Sequence, residues 1–316
     1  MVFITALSKV LPIFLLILLG VVLRRLQVIR PDTVVDIKKL VVTVTLPAVL
    51  FLAFSQVGIE ARYLVIVVIM FGACWLVLLL GQRLGPLLRL PSPYMPSLLT
   101  GFEAGMMGYA IFGAVYGPAA IFRFGVIDLG QVLFVFFVLV PGLERLSTGK
   151  RPMRDTLLSF LKTPVILAIL AGLTFKQVGL AVFFSQSPLA SGVLEAVRLL
   201  GAMTTPLVAL AIGYELQFRS GDLGRPFRTV AVRLLIWLPA GLLLSNLVIG
   251  RLLGLDPIFQ TAVLTMVLLP PPFVIPIFMR QATDEDTNYV VNTLTLATLV
   301  TLFAYAVVPI LYPPGG

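Results

Sequence analysis

Three consecutive prolines interrupt an apolar stretch that is long enough to cross a membrane. Residues 258–279 carry no charged side chain, yet they contain Pro270, Pro271 and Pro272. Proline has no backbone N–H and clashes with the preceding helical turn. In hydrocarbon an unpaired backbone group costs several kcal/mol, so such a break is tolerated only where protein or a water-filled cavity surrounds it. The prolines therefore predict a helix that is broken at membrane depth, an arrangement typical of transporter substrate sites.

Composition places this break in an integral membrane protein. Only 12% of the 316 residues are charged and 59% are hydrophobic, whereas a soluble domain has about 25% charged residues. The apolar runs are about 20 residues long, which fits transmembrane helices better than the shorter strands of a barrel. We therefore expect an all-α polytopic membrane protein without a soluble domain. The net charge of +9 indicates topology and contact with anionic membrane lipids, and we infer no nucleic-acid binding from it.

The rare residue types exclude several classes of function. The chain has no histidine and one cysteine, so it lacks the commonest metal ligand and general base and cannot form an intramolecular disulfide. The sequence contains no nucleotide-binding loop, metalloprotease motif or serine-hydrolase motif. We therefore expect no enzyme activity, no cofactor and no metal site. Carboxylates remain as proton carriers, and H⁺ and Na⁺ are the coupling ions to consider.

Ten apolar windows predict ten membrane spans. The windows cover residues 4–23, 38–57, 63–81, 95–117, 121–143, 160–182, 197–217, 229–250, 258–280 and 287–312. Most Lys and Arg residues lie in or beside the odd-numbered loops. By the positive-inside rule these loops are cytoplasmic. We therefore expect a multi-pass protein of the cell inner (plasma) membrane with both termini outside the cytoplasm.

The two halves of the chain share an ordered set of residues. Pro12 and Gly20 in the first span correspond to Pro164 and Gly172 in the sixth, at the same spacing. Further pairs follow at a slowly growing spacing: Pro47 with Pro206, Trp75 with Trp237, and Pro141 with Pro309. We therefore divide the chain into two repeats, 1–150 and 151–316. Since each repeat has five spans, the second is inverted in the membrane, and inverted repeats with broken helices predict a binding site near the midplane.

The repeat predicts a counterpart for the proline break in the fourth span. Residues 101–108 read Gly-Phe-Glu-Ala-Gly-Met-Met-Gly, which is flexible where the ninth span is rigid. Half-helix N-termini at these breaks could bind an anion, and exposed carbonyl groups could instead bind a cation. The candidate substrate-binding residues are Gly105, Met106, Gly108, Pro270, Pro271, Pro272 and Asn292. The structural alternative is a kink at the prolines and close helix packing at the glycines.

Polar side chains inside the spans are the candidates for ion or proton coupling. Glu103 lies near the middle of the fourth span, where a carboxylate costs about 2.5–3.5 kcal/mol to insert. Asp128 and Gln131 lie about one helical turn apart in the fifth span. These three residues form the predicted coupling set. The structural alternatives are that Glu103 partners a polar group on a neighbouring helix, and that Asp128 forms an interfacial ion pair with Arg123 or a helix cap.

Several stretches, in a fixed order, carry a likeness to a known family. They are LPIFLLILLGVVLRRLQVI at 11–29, LVVTVTLPAVLF at 40–51, GFEAGMMGYAIFGAVYG at 101–117, and LLPPPFVIPIFM at 268–279 followed by NTLTLATLVTLFAYAVVP at 292–309. The chain resembles the auxin efflux carrier family in its bacterial branch, within the bile/arsenite/riboflavin transporter-like superfamily. Each motif is degenerate, but the likeness covers nearly the whole chain.

The resemblance implies a fold and an activity. The fold would have ten transmembrane helices as two inverted five-helix repeats, with broken helices 4 and 9 that cross. Scaffold and transport subdomains would move in an elevator-like way, often in a homodimer. Members of the family are secondary carriers for organic anions, which include auxin in plants and malonate-, malate- or lactate-type acids in bacteria. The expected partners are therefore a small organic anion such as a mono- or dicarboxylate, membrane lipids and a second copy of the chain.

Two departures from the family pattern affect the expected mechanism. Glu103 stands where members commonly have Asn, and Ala110 stands where they have a crossover proline. An added carboxylate is unexpected in an anion site unless it carries the coupling proton. Three hypotheses follow: a proton-coupled carrier of an organic anion, a sodium-coupled carrier of the same fold for another solute, and a membrane sensor without transport.

Overall fold

The computed structural model describes residues 2–58, 60–88, 90, 92–147, 153–180, 184, 188–279, 282–305 and 307–312, and in these residues it contains helices and no strands. Helices lie at all ten predicted positions. They are α1 (Val2–Arg25), α2 (Pro31–Phe54), α3 (Ala61–Leu87), α4 (Met95–Tyr116, interrupted), α5 (Pro118–Leu146), α6 (Met153–Leu161 and Pro164–Gln177), α7 (Leu189–Glu215), α8 (Gly224–Leu252), α9 (Pro257–Leu268) and α10 (Asp284–Tyr305).

The lengths and composition of these helices fit a membrane protein. Among the described residues, α2, α3, α4, α5, α7, α8 and the region of α10 are each long and apolar enough to cross a membrane, and the two α6 segments, bent by 58°, would form an eighth span. α9 has 12 residues, or about 18 Å, which is shorter than the roughly 30 Å hydrocarbon core. The helical, polytopic architecture is therefore confirmed. Ten crossings and the inverted repeats 1–150 and 151–316 stay predictions.

Prolines and an aspartate mark where several helices begin. Pro31, Pro164 and Pro257 each occupy the first helical position, where the missing N–H is not needed and the fixed φ already suits a helix. Asp256 precedes α9, and its carboxylate accepts the Ile258 N–H at 2.9 Å. This cap satisfies one of the unpaired donors at the start of the helix. The beginning of α9 is therefore set by its own sequence, whereas its end depends on the prolines.

The helices pack as two bundles. α1, α2, α6 and α7 form the first bundle, in which α1 lies along α7 and α2 lies along α6. α3, α4, α5, α8, α9 and α10 form the second bundle, in which α3 lies along α5 and α8 lies against both α9 and α10. The bundles meet along a seam to which α1, α2 and α7 contribute from the first bundle and α4 and α5 from the second.

Glycines permit close backbone contacts inside each bundle. In the first bundle, a Cβ atom on Gly213 of α7 would lie only 1.9 Å from the Ile17 carbonyl oxygen of α1. In the second, a Cβ atom on Gly130 of α5 would lie 2.4 Å from the Val67 carbonyl oxygen of α3. Glycine is the only residue type that lets these helices approach so closely. Each bundle is therefore held by contacts to fixed backbone.

Contacts across the seam involve side chains. A Cβ atom on Gly125 of α5 would meet the ring of Phe54 of α2 at 2.8 Å. The hydroxyl of Thr205 in α7 donates to the carbonyl oxygen of Ala110 in α4 at 3.3 Å. Side chains can change rotamer, whereas a helix backbone cannot give way without bending. The seam is therefore easier to rearrange than the interior of either bundle.

The glycine contacts generate a stability prediction. We expect Gly213→Ala to lower the free energy of unfolding by about 1–3 kcal/mol, because the added methyl group overpacks α1 against α7. Gly72→Ala is the matched control, since a Cβ atom there would meet nothing within 4 Å. Denaturant titration of the purified protein in detergent measures both. Equal stability of the two variants would contradict the close α1–α7 contact.

Candidate functional site

The helical backbone of α4 is interrupted at residues 100–103. Its first half ends at Leu99, and a π-helical turn begins at Ala104. Gly101 between them has a φ of +65°, a conformation that side chains disfavour. A Cβ atom on Gly101 would also lie 2.8 Å from Cγ of Pro272. Glycine is therefore required here twice, by the backbone conformation and by the close approach of the proline run.

The proline run ends α9 at the same place. Helix α9 stops at Leu268, and Leu269 is extended with a ψ of 151°. Pro270, Pro271 and Pro272 have no N–H to donate, so Phe273 supplies the first backbone donor after the break. A short 3₁₀ turn, Ile275–Phe278, follows. The two interruptions therefore cross each other, with residues 100–103 against residues 269–273.

Glu103 joins the two interruptions through its side chain and its backbone. Its backbone N–H donates to the Pro270 carbonyl oxygen at 2.9 Å. One carboxylate oxygen accepts the Met106 N–H at 2.9 Å, and the other accepts the Phe273 N–H at 2.6 Å. Its side chain is buried. Glu103 therefore caps the second half of α4 and also holds the first free donor after the prolines.

Arg233 of α8 provides the opposite charge at the crossing. It is buried, with 2% of its surface exposed. Its guanidinium donates to the carbonyl oxygens of Leu98, Gly101 and Leu269 at 3.2, 2.6 and 3.1 Å. These groups lie where the first half of α4 and α9 end, and helix C-termini carry partial negative charge. One cation therefore satisfies carbonyl groups at both half-helix ends.

Neutral side chains donate hydrogen bonds to other carbonyl groups at the two helix ends. Trp237, one turn after Arg233, donates its indole N–H to the Leu99 carbonyl oxygen at 2.8 Å. The Thr301 hydroxyl of α10 donates to the Leu268 carbonyl oxygen at 2.5 Å. Backbone groups that the broken helices leave unpaired are thus satisfied by neighbouring helices, as the membrane interior requires.

A second buried carboxylate lies next to the break in α4. Asp128 accepts hydrogen bonds from the Tyr109 hydroxyl at 2.8 Å and from the Gln131 amide at 2.7 Å. The amide oxygen of Gln131 accepts the Phe102 N–H at 3.2 Å, which links Asp128 to the crossing. The predicted alternative of an ion pair between Asp128 and Arg123 is wrong, because Arg123 pairs with Asp256 at 2.8 Å.

The remaining predicted residues differ in their surroundings. A Cβ atom on Gly108 would meet Phe124 at 2.5 Å and Leu269 at 2.8 Å, so this glycine is a packing position. A Cβ atom on Gly105 would meet only a carboxylate oxygen of Glu103, at 3.9 Å. Gly105 therefore leaves space beside the Glu103 carboxylate, and Met106 contributes its backbone N–H to the same group.

The Asn292 side chain is hydrogen-bonded to the loop after α7 and not to the crossing. Its side-chain oxygen accepts the Arg219 N–H at 2.7 Å, and its side-chain nitrogen donates to the Arg219 carbonyl oxygen at 3.1 Å. Thr301, which contacts the crossing, follows nine residues later on the same helix, or about 13 Å along its axis. Asn292 therefore ties the loop after α7 to α10, which is a different place from the one that the sequence analysis assigned to it.

Two cavities open on the seam. The first, of about 670 Å³, is lined by Tyr109, Phe122, Arg198, Thr204 and mostly apolar neighbours. The second, of about 290 Å³, is lined by Lys38, Glu215, Phe273, Thr295 and neighbours. We call them the Arg198 cavity and the Lys38 cavity. Both contact α2 and α7, but at opposite ends of these helices.

The crossing lies between the two cavities. Tyr109 lines the Arg198 cavity and donates to Asp128. Phe273 lines the Lys38 cavity and donates its N–H to Glu103. Each cavity thus reaches one residue that is hydrogen-bonded to a buried carboxylate. This arrangement suits a site that is approached from either side of the membrane.

Comparison with known proteins agrees with this geometry. A family model described as "Membrane transport protein" matches residues 5–309, which is nearly the whole chain. The chain belongs to the auxin efflux carrier family. The family comprises membrane transporters rather than enzymes. No curated protein matches the chain. Placement in the bacterial branch stays a prediction.

Arg233 was not among the predicted site residues, although its position in the sequence carried a signal. The charge pattern counts Arg233 with the cytoplasmic residues that follow the seventh span. It lies eight residues after Arg225, or about 12 Å further along the helix, and an apolar run follows it. An arginine at that depth is costly unless it is paired, so its position in the sequence is a signal of a buried acceptor. Tyr109 and Phe273 gave no comparable signal, because their roles depend on which helices cross.

The two N–H bonds of Glu103 generate a stability prediction. Glu103→Ala leaves the Met106 and Phe273 N–H groups without their acceptor, and an unsatisfied buried group costs about 1–3 kcal/mol. Glu103→Gln keeps one amide oxygen as an acceptor. We therefore expect Glu103→Ala to be less stable than Glu103→Gln by about 1–3 kcal/mol in denaturant titration. If the two variants have the same stability, the carboxylate does not join the two breaks.

Proposed function

We propose that the protein is a secondary carrier of the inner (plasma) membrane that moves a small organic anion, such as a mono- or dicarboxylate, by elevator-type alternating access. The observation that carries this proposal is the position of the crossing between the Arg198 cavity and the Lys38 cavity. A carrier must expose one site to each side in turn. Two cavities at opposite ends of the same seam supply the two routes.

The packing supports movement of one bundle against the other. The whole crossing belongs to the second bundle, since α4, α8 and α9 supply Glu103, Arg233 and the prolines. The glycine contacts that hold backbone against backbone lie within bundles, whereas the seam is contacted through side chains. Sliding along the seam would therefore carry the crossing past α2 and α7 without breaking it.

The charged side chains that line the two cavities favour an anion as the substrate. Each cavity contains one lining cation, Arg198 in the larger and Lys38 in the smaller. Each cation is partly offset by a carboxylate, since Lys38 pairs with Glu215 at 2.7 Å and Arg198 pairs with Glu195 at 3.2 Å. A cation at the cavity lining raises the local concentration of an anionic solute. The cavities are otherwise largely apolar, which suits a carboxylate with a small hydrocarbon body.

Proton coupling follows from the position of Glu103. The Met106 and Phe273 N–H groups are the donors that a substrate carboxylate would seek at the crossing, and the ionised Glu103 already accepts both. A second carboxylate beside it would meet strong repulsion in a low-dielectric site. Protonation of Glu103 removes its charge and weakens its hold on both donors. The anion therefore binds together with a proton, and Asp128 lies within reach as a second coupling group through Gln131.

The alternatives have weaker support. A sodium-coupled carrier needs carbonyl oxygens free for the ion, but Leu98, Gly101 and Leu269 at the crossing accept hydrogen bonds from Arg233. A sensor without transport needs one binding cavity and not two on opposite sides. We also propose that both termini lie outside the cytoplasm. Two copies of the chain form a homodimer.

Transport by Glu103→Gln tests the proton-coupled mechanism. We expect proteoliposomes that contain this variant to exchange labelled carboxylate across the membrane, but not to accumulate it in response to a pH gradient, because the variant cannot bind the coupling proton. The matched control is Glu60→Gln. Hydrogen bonds from Arg62 and Tyr63 hold the pKa of exposed Glu60 below its ordinary value, so it does not exchange protons near neutral pH. Accumulation by Glu103→Gln that matches the wild type would refute the coupling role.

Cross-linking tests movement along the seam. In a Cys74→Ala background, Ala110→Cys with Thr205→Cys places two thiols across the seam, where these residues make a 3.3 Å hydrogen bond. We expect a mercuric-ion bridge to abolish flux, and excess free thiol to restore it. The control pair, Ser92→Cys with Asp286→Cys, lies within the second bundle, where the Ser92 hydroxyl donates to the Asp286 carboxylate at 2.6 Å. Undiminished flux in the bridged seam pair would exclude sliding.

A further inference from the structure

The proposed transport of an anion does not by itself explain why the carbonyl groups at the crossing are bonded to a charged side chain. It is buried in α8 and donates to the carbonyl oxygens of Leu98, Gly101 and Leu269. Its guanidinium also lies 5.0 Å from the centre of the Phe102 ring. Among the ion pairs between described residues, none includes Arg233. Its donors are therefore directed at backbone carbonyl groups at two helix ends.

Carbonyl groups at the ends of broken helices form a cation site. The last carbonyl groups of a helix have no partner within it, and they carry partial negative charge. In transporters with broken helices, such carbonyl groups coordinate the coupling cation. Here two helix ends meet, and their carbonyl oxygens converge on a guanidinium that belongs to the chain.

We propose that Arg233 is a tethered cation that takes the place of a soluble coupling cation at the crossing, so that the protein has no requirement for Na⁺ or K⁺. This inference rests on the proposed carrier function, because a coupling cation has meaning only in a carrier. Arg233 is here a positioning residue: it holds the ends of α4 and α9 together and keeps their carbonyl oxygens from a mobile ion.

The neighbouring donors show that a charge is not needed merely to satisfy carbonyl groups. Trp237 donates to Leu99 and Thr301 donates to Leu268 through neutral groups, at the same two helix ends. A charged side chain at membrane depth is costly to insert. Its presence where neutral donors suffice next door indicates that the positive charge itself has a role.

Thermal unfolding of the purified protein tests the proposal without any transport assay. Melting temperatures are measured in NaCl, KCl, choline chloride and guanidinium chloride at about 50 mM, a concentration well below the denaturing range. We expect the wild type to melt at the same temperature in all four salts. We expect Arg233→Ala to melt lower and to gain about 3 °C or more in guanidinium over choline, because the free ion enters the vacated site.

Trp237→Phe is the matched control. It removes a neutral hydrogen bond from the same helix end, so it should lower the melting temperature without creating any dependence on the cation. Arg233→Lys keeps the charge but loses the planar fork, so it should melt lower than the wild type and remain indifferent to Na⁺. This variant also gives a result if Arg233→Ala does not fold.

Three results would overturn the inference. They are stabilisation of the wild type by Na⁺ or K⁺ over choline, stabilisation of Arg233→Lys by Na⁺, and a folded Arg233→Ala that responds equally to all four salts. None of them depends on flux. Failure of carboxylate transport in proteoliposomes would instead refute the proposed function and leave the melting result as it stands.

Discussion

The fold depends on a balance of two buried charges at the crossing of α4 and α9. The carboxylate of Glu103 accepts N–H groups that follow the two breaks, and the guanidinium of Arg233 donates to carbonyl groups that precede them. Each charge thus meets backbone dipoles of the opposite sign. Without them, unpaired backbone groups would lie in hydrocarbon, where each costs several kcal/mol.

This balance explains how an interrupted pair of helices can belong to a single bundle. Glu103 ties α4 to α9, and Arg233 ties both of them to α8. The first bundle contributes no partner to these bonds, so it can present α2 and α7 as a separate surface. The two cavities open on that surface and are lined by different parts of α2 and α7. Contacts across the seam therefore control access to the crossing, whereas contacts within the second bundle hold the crossing together.

The sequence predicted the helices and the location of the breaks, because both depend on local properties. Apolar run length locates α2 through α8, and the missing donors of Pro270–Pro272 end α9 wherever it packs. Glu103 was found because a carboxylate is rare at that depth. The partners of these groups were not predictable, since they depend on which helices cross. Arg123 pairs with Asp256, 133 residues away in the chain, and Asn292 binds the Arg219 backbone instead of the crossing.

A double-mutant cycle tests the charge balance most directly. The free energy of unfolding is measured in detergent for the wild type, Glu103→Gln, Arg233→Gln and the double variant. Both side chains are bonded to the same two backbone segments, residues 98–106 and 269–273, so the loss of one side chain loosens the segments that the other holds. The account predicts that the double variant loses less stability than the sum of the single losses, by more than about 0.5 kcal/mol. Losses that add to within that margin would show that the two charges act independently and would contradict the account.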